Sequence, residues 1–175
     1  MPEGWSYAVD FIASSEEREC VAVLEELAFK AFEFHGFLGK RRVFSFGWRY
    51  DFTSGRLIPA KGMPRFLLAL RDQAAEFAGV EAADLAHALI TEYAPGAPIG
   101  WNRDKAVFDV ITGVSLLTPF EFRFRRRLPN GFDRASFIAE PRSIYVMRGA
   151  ARSDWEHSIP PVSALRYSIT FRTLR

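Results

Sequence analysis

The sequence RYSITFR at residues 166–172 alternates strictly between polar and apolar side chains. Successive side chains of a β-strand point to opposite faces, so this stretch has one apolar face and one polar face. The polar face carries Arg166 and Arg172, which lie roughly 20 Å apart along an ideal strand. Two arginines on one face of a core strand indicate a bound anion, and their long side chains suit the two ends of a short dicarboxylate. The alternative is an exposed edge strand.

Candidate strands fill most of the chain before this stretch. The clearest covers residues 120–125, where three phenylalanines alternate with charged side chains. A Pro129-Asn130-Gly131 turn signal follows, and residues 132–138 are predicted to return as a strand. Other candidate strands lie at residues 85–93, 107–117 and 143–147, the second with a break at Gly113.

Helices are predicted only in the first half of the chain. Ser14 and Glu17 have the spacing of a capping box, and a helical apolar repeat continues from there to Ala31. A second helix is predicted between Pro64, which suits the first helical position, and Gly79, which suits the position just past the end.

The order of these elements indicates the fold class. The aromatic stretch at residues 42–52 is predicted as a hairpin or an ordered loop, because a Thr53-Ser54-Gly55 turn signal follows it. Helices followed by many short strands indicate an α+β fold with a β-sandwich or barrel. Periodicity alone does not distinguish a jelly roll from other sandwiches.

Length and composition restrict the possibilities further. The 175 residues suit a single domain, 1–175, and the formal net charge of +2 does not by itself mark a nucleic-acid binder. Two basic clusters, at residues 40–42 and 123–127, suit either phosphate contacts or solvated faces. Cys20 is the single cysteine, which fits a reducing compartment. No signal peptide or membrane-spanning stretch is visible, so we expect a cytoplasmic monomer.

Three short segments carry residues suited to metal and anion binding. They are YAPGAPIGWNRD at 93–104, WEHSI at 155–159 and the strand at 166–172. Each alone is only suggestive, because a single Asp or His is more often structural than a ligand. Together and in this order they resemble the AlkB family of iron(II)- and 2-oxoglutarate-dependent dioxygenases. The Tyr-Ala-Pro-Gly turn and the terminal strand are the most specific parts of a resemblance that extends from the first helix to the last residue.

The resemblance implies a fold and a set of ligands. The fold would be a double-stranded β-helix, a jelly-roll relative, with helices packed on one side. Fe(II) and 2-oxoglutarate would be the cofactors, and O2 a cosubstrate. The metal positions would be Asn102, Asp104 and His157. The 2-oxoglutarate positions would be Arg166 for the far carboxylate, Arg172 for the end that chelates iron, and Tyr93 and Ser168 as hydrogen-bond donors.

Position 102 departs from the family, which has histidine there. Two imidazoles and one carboxylate form the iron(II) site of such dioxygenases. A side-chain amide is a neutral oxygen ligand that suits calcium or magnesium better. Alternation along an extended segment still places Asn102 and Asp104 on the same side. The sequence therefore predicts a weak iron site, in which the amide oxygen or a water takes the place of the imidazole.

The resemblance also implies a substrate class. AlkB-like enzymes oxidise N-methyl groups, and many act on methylated bases that are flipped out and stacked on aromatic side chains. Trp48 and Tyr50, with Arg49 between them, lie in a segment that resembles the family's substrate lid. Ala106 stands where lesion-repair members have an aspartate that reads the base amine, so adenine-type reading is not expected. Arg152 matches a family arginine that supports the site.

These residues lead to a predicted function and two alternatives. The predicted function is oxidative demethylation of N-alkylated bases in single-stranded nucleic acid, as in DNA or RNA repair. One alternative is a catalytically impaired AlkB-like protein that binds 2-oxoglutarate or nucleic acid without turnover, and Asn102 favours it. The other is a demethylase of protein substrates. The intact Asp104, His157, Arg166 and Arg172 favour an enzyme.

Overall fold

The computed structural model describes residues 1–34, 37–51 and 53–175. Three α-helices lie in this part of the chain: α1 Ser14–Glu25, α2 Arg65–Ala78 and α3 Gly149–Ser153. The strands are β1 Trp5–Ala8, β2 Lys30–Phe34, β3 Phe37–Phe46, β4 Trp48–Asp51, β5 Arg56–Pro59, β6 His87–Tyr93, β7 Ile99–Asn102, β8 Phe108–Leu116, β9 Phe120–Leu128, β10 Gly131–Ala139, β11 Ser143–Met147, β12 Glu156–Ile159 and β13 Arg166–Leu174.

The strands form two main antiparallel sheets. A seven-stranded sheet has the order β1-β11-β8-β13-β6-β3-β2, and a four-stranded sheet has the order β10-β9-β12-β7. The strand that carries RYSITFR, β13, lies between β8 and β6 and pairs with both. It is therefore a central strand, as predicted, and the edge-strand alternative is wrong.

Two apolar cores lie on opposite faces of the seven-stranded sheet. One core joins that sheet to α1 and α2 and includes Tyr167, Ile169 and Phe171 from β13. The other joins it to the four-stranded sheet and includes Phe122 and Phe124. The alternation of β13 thus directs its apolar side chains toward the helices and its polar side chains toward the other sheet. The predicted α+β fold, with a jelly-roll core and helices on one side, is confirmed.

The second helix closely follows its sequence signals. Pro64 was predicted as the first residue of the helix, but α2 begins one residue later, at Arg65, and Pro64 is its N-cap. Gly79 caps the other end with a left-handed backbone at φ 63°. The stretch at 42–52 divides at Gly47, whose φ of 74° turns the chain from β3 into β4. β4 then forms the predicted hairpin with β5. Phe52 and residues 35–36 lie outside the described residues.

The first helix is shorter than predicted. It ends at Glu25, and Ala31 belongs to β2, where it pairs with Arg42 of β3. The capping partner is also different, because the Ala13 N–H donates to the Glu16 carboxylate at 2.8 Å. Glu17 is instead buried and accepts from the Leu117 N–H at 2.8 Å. Sheet pairing at β2 has therefore overridden a locally helical apolar repeat.

The strand predictions agree with the structure apart from one detail. β8 runs without interruption from Phe108 to Leu116, so the predicted break at Gly113 is wrong. None of the helices in the described ranges is long and apolar enough to cross a membrane.

Candidate active site

The inner face of the four-stranded sheet brings the predicted metal positions together. Asn102 ends β7, and His157 lies on the neighbouring strand β12 directly opposite Asn102. Asp104 follows β7 by two residues, and its Oδ2 lies 3.7 Å from Nε2 of His157. Both side chains are largely buried, at 14% and 12% exposure.

Arg172 holds the carboxylate of Asp104 from the facing sheet. Its Nε and Nη2 both donate to Oδ1 of Asp104, at 3.1 and 2.9 Å. Burial would raise the pKa of Asp104, but Arg172, His157 and Arg152 outweigh it and keep that pKa below its usual value. Burial lowers the pKa of His157. The Asp104 carboxylate opposes this shift, and the charges of Arg172 and Arg152 add to it. An ionised carboxylate and a neutral imidazole are the protonation states that metal ligands require.

Asn102 is oriented by the main chain around it. Its Nδ2 donates to the Gly100 carbonyl at 2.8 Å and to the His157 carbonyl at 3.3 Å. The amide oxygen is therefore the group that Asn102 has available for the site. Across the described ranges, no three His, Cys, Asp or Glu side chains are grouped closely enough to hold a metal ion. The donors present are one carboxylate, one imidazole and one amide.

Arg166 lies at the other end of the same face of β13. It is 1% exposed, and its guanidinium lies 3.7 Å from the ring centroid of Phe120 and 4.7 Å from that of Tyr93. Nε donates to Ser115 Oγ at 3.0 Å, while the buried Nη1 has no hydrogen-bond partner among the described residues. Burial lowers the pKa of Arg166, with Tyr93 and Tyr145 opposing the shift. A buried guanidinium nitrogen without a partner is expensive, and a carboxylate would satisfy it.

Tyr93 and Ser168 lie beside this guanidinium. Tyr93 pairs with Arg166 across β6 and β13 and is 3% exposed. Ser168 is two residues from Arg166 on the same face, and its hydroxyl lies 3.4 Å from that of Thr170. Of the predicted 2-oxoglutarate residues, Tyr93, Arg166 and Ser168 therefore lie at one end of β13, and Arg172 lies at the other end.

Arg152 braces the loop that carries Asp104. Its Nη2 donates to the Lys105 carbonyl and, at 3.1 Å, to the Phe108 carbonyl. This buried arginine therefore fixes the chain on the far side of Asp104, in keeping with the supporting role that the resemblance implied. Its Nε is buried and has no partner in residues 1–34, 37–51 and 53–175.

The predicted substrate residues lie on the β4–β5 hairpin. Nζ of Lys105, the residue after Asp104, lies 5.0 Å from the ring centroid of Tyr50. This contact places Tyr50 beside the loop that carries Asp104. Trp48 is half-buried and Arg49 is exposed. In the part of the chain described, neither forms a hydrogen bond or an ion pair with Asp104 or His157.

Tyr145, which no sequence pattern had indicated, also lies between the two sheets. It pairs with Gly113 across β11 and β8, and a β-carbon at Gly113 would overlap its phenol ring. Burial raises the pKa of Tyr145 to about 12, and Tyr93 adds to the shift. The ring stacks on Trp5 at a centroid distance of 5.2 Å. A glycine inside a strand often marks such a close approach, which is the signal that could have revealed it.

His87 was also missed, and Arg41 was predicted only as a member of a basic cluster that could contact phosphates. His87 is 3% exposed, and its Nδ1 lies 3.4 Å from Nη1 of Arg172. Burial lowers the pKa of His87 to about 3, and Arg172 contributes to the shift. Arg41 is half-buried over the Phe32 ring, 3.9 Å from its centroid. Arg41 pairs with Tyr93 across β3 and β6, so the two side chains share one face of the sheet. Burial lowers the pKa of Arg41, while Tyr93 and Asp104 oppose the shift.

A sequence profile of the 2OG-Fe(II) oxygenase superfamily matches residues 38–172. The chain belongs to this superfamily. Membership implies Fe(II) and 2-oxoglutarate as cofactors, as predicted. A curated relative, the uncharacterized protein L905 of Acanthamoeba polyphaga mimivirus, is 31% identical over 101 residues, an alignment that covers 49% of this chain and 47% of that protein. The chain thus spans about half the length of this relative.

Two solved structures share the fold at low sequence identity. OsALKBH1 superimposes with a TM-score of 0.74 at 13% identity, over 99% of this chain and 97% of that chain. A Pseudomonas putida prolyl-4-hydroxylase superimposes with a TM-score of 0.63 at 16% identity, over 98% and 93%. The likeness concerns the arrangement of the two sheets and their helices.

The residues fit the two implied cofactors unequally. The buried, unpartnered Nη1 of Arg166 suits a carboxylate of 2-oxoglutarate. Asp104 and His157 suit Fe(II), but the amide of Asn102 does not supply the second imidazole. The described residues therefore fit a carboxylate at Arg166 better than they fit Fe(II) at Asp104, His157 and Asn102.

Proposed function

We propose that this protein is an AlkB-like dioxygenase that removes N-alkyl groups from nucleic-acid bases. The observation that carries the proposal is the buried Arg166, whose Nη1 is unpartnered on the same strand face as the Arg172 that holds Asp104. The buried Arg166 and the Asp104–His157 pair thus both lie between the two sheets. In this superfamily the bound cofactors and O2 oxidise a C–H bond while 2-oxoglutarate is converted to succinate and CO2.

The residues of this chain would divide the work as follows. Arg166, with Tyr93 and Ser168, would bind the far carboxylate of 2-oxoglutarate in a site from which the Phe120 ring excludes water. Arg172 has two of its donors on Asp104, so its main role would be to fix and keep ionised that carboxylate. His157 would supply a neutral imidazole. An N-hydroxymethyl product would then lose formaldehyde without help from the protein.

A second candidate function rests on Asn102. With an amide in place of the imidazole, the protein would bind 2-oxoglutarate and nucleic acid but turn over slowly or not at all. The amide nitrogen already donates to two carbonyls, so only the amide oxygen remains for a metal. The cosubstrate half of the proposal holds for both candidates.

Replacing Arg166 with alanine tests the cosubstrate site. We expect 2-oxoglutarate to bind more than about tenfold more weakly, because removing one partner of a desolvated charge pair costs roughly 2–5 kcal/mol. Isothermal titration calorimetry with 2-oxoglutarate measures this, and circular dichroism checks that the variant is folded. Arg65→Ala, at an exposed arginine, is the control and should bind like the unaltered protein. Equal affinities for Arg166→Ala and the unaltered protein would remove Arg166 from this role.

Replacing Trp48 or Tyr50 with alanine tests the substrate class. Base–aromatic stacking is worth about 1–3 kcal/mol per base, so either change should weaken binding of a methylated single-stranded oligonucleotide several-fold or more. Fluorescence anisotropy at low salt measures this affinity, with the exposed Phe77→Ala as a control. If methylated and unmethylated strands both fail to bind the unaltered protein, the nucleic-acid assignment is wrong and a protein substrate is favoured.

A further inference from the structure

The outer face of the four-stranded sheet carries a row of arginines that the proposed active site does not use. Phe122 and Phe124 of β9 point into the core between the sheets, so the alternating residues of β9 point outward. Those residues are Glu121, Arg123, Arg125 and Arg127. Arg134 of β10 pairs with Arg125, and Glu156 of β12 pairs with it on the other side, which puts both on the outer face.

Aromatic rings hold these guanidiniums against the sheet. Arg125 lies between Trp101 of β7 and Phe132 of β10, with its Cζ 4.5 and 4.8 Å from the two ring centroids. Arg127 and Arg134 also lie over Phe132, at 5.8 and 5.4 Å. Three guanidiniums thus surround one phenyl ring instead of extending separately into solvent. Each contact is favourable by itself, since a cation is attracted to an aromatic face.

The positive charges of this face are only partly neutralised. Glu156 pairs with Arg125 at 2.6 Å, and Glu121 pairs with Arg123 at 2.5 Å. Arg127 and Arg134 are exposed, and neither has a carboxylate partner within the described ranges. Four arginines and two glutamates leave an excess of two positive charges, which equals the formal net charge of the whole chain. Like charges grouped around one ring repel each other unless an anion lies between them.

We propose that this outer face binds the phosphate backbone of the single-stranded nucleic acid on which the enzyme acts. The row along β9 spaces its arginines roughly 7 Å apart, which suits a row of phosphates better than a single small anion. β7 is an edge strand of its sheet, and Trp101 precedes Asn102 on it. A nucleic-acid strand that passes over Trp101 therefore reaches the sheet edge beside Asp104 without passing over another β-strand of that sheet. This proposal rests on the proposed function, because the strand that it places on the outer face is the nucleic-acid substrate of that function.

The test is a charge reversal away from the active site. The double variant Arg127→Glu/Arg134→Glu is compared with the unaltered protein in binding a fluorescein-labelled, unmodified DNA strand of about 15 nucleotides. We expect affinity at about 50 mM salt to fall by about tenfold or more. The slope of log affinity against log salt should flatten by about 1.4, because each lost phosphate contact on a single strand contributes about 0.7.

Two control variants separate this surface from general charge effects. Arg18→Glu/Arg65→Glu makes the same change in net charge on exposed arginines of α1 and α2, on the opposite side of the molecule, and should change affinity far less. Arg127→Lys/Arg134→Lys keeps the charge and should retain most of the affinity. Calorimetry with 2-oxoglutarate should give equal affinities for all variants, since none touches Arg166.

The outcomes distinguish the surface from the activity. Equal loss of affinity in the helix-side control, or no loss in Arg127→Glu/Arg134→Glu, would overturn the surface while the proposed function stands. No binding of the strand by the unaltered protein would overturn both the surface and the nucleic-acid substrate. Loss confined to Arg127→Glu/Arg134→Glu, with normal 2-oxoglutarate binding, supports the surface even if turnover is absent.

Discussion

At the scale of single residues, position 102 separates the geometry of the metal site from its chemistry. Cross-strand pairing puts Asn102 directly opposite His157, and Asp104 lies two residues further on. A histidine at this position would therefore be placed among the other two donors. The asparagine instead uses its nitrogen on two carbonyls of the main chain. If position 102 belongs to a metal site, as we propose, the backbone brings three positions together while the side chains supply only two of the expected donors.

Restoring the imidazole should restore the metal site. We expect Asn102→His to bind iron(II) at least about tenfold more tightly than the unaltered chain, because an amide oxygen is a poorer iron(II) ligand than an imidazole nitrogen. We also expect it to form more succinate without a primary substrate. Anaerobic iron(II) titration in the presence of 2-oxoglutarate, followed by exposure to air, measures both.

Arg103→His is a matched control for that change. Arg103 is exposed and donates to the Asp154 carbonyl at 3.2 Å, so a histidine there adds an imidazole to the same segment outside the site. It should leave iron(II) affinity unchanged. Equal affinities for Asn102→His and the unaltered chain would contradict the assignment of position 102 to the metal site. Strong turnover by the unaltered chain would show that the asparagine is not disabling.

At the scale of elements, the sequence predicts best where two opposite environments act on one strand. β13 directs apolar side chains toward the helices and polar side chains, among them Arg166 and Arg172, toward the other sheet, so its alternation is strict and its central position follows from the pattern. The β2 region was predicted worst. Its residues fit a helical repeat, and only the backbone pairing with β3, the next strand along the chain, makes them a strand.

The candidate site shows the same division between local and distant information. Asp104, His157, Arg166 and Arg172 lie in short motifs, so the sequence and its family resemblance lead to them directly. Tyr145 depends on the register between β11 and β8, which places it over Gly113. The same holds for His87, which meets Arg172 only because β6 pairs with β13. Registers of this kind are set by the packing of whole sheets and leave no local pattern in the sequence.

At the scale of the whole molecule, the two sheets enclose charged groups that an ordinary core excludes. Arg166, Arg172, Asp104 and His87 all lie between the sheets with little exposure to solvent. Each is held by specific partners, and their charge states therefore depend on the molecule remaining folded. Protonation and unfolding are linked through these groups, because an unfolded chain would restore the ordinary pKa of Asp104, His87 and Arg166.

The linkage predicts how stability changes with pH. The pKa of His87 is about 3 in the folded protein, against an ordinary value of about 6.5. Between these values the unfolded chain takes up a proton that the folded protein does not, so the free energy of unfolding falls as the pH falls, by up to roughly 1.4 kcal/mol per pH unit.

His87→Gln removes this contribution, so its stability relative to the unaltered protein should improve steadily from pH 7 to pH 5. Urea unfolding at several pH values measures the difference. Leu70→Ala, which trims a buried side chain in the core on the other face of the seven-stranded sheet, adds no titrating group and should shift stability equally at every pH. A difference between His87→Gln and the unaltered protein that does not vary with pH would mean that His87 is not held neutral by the fold.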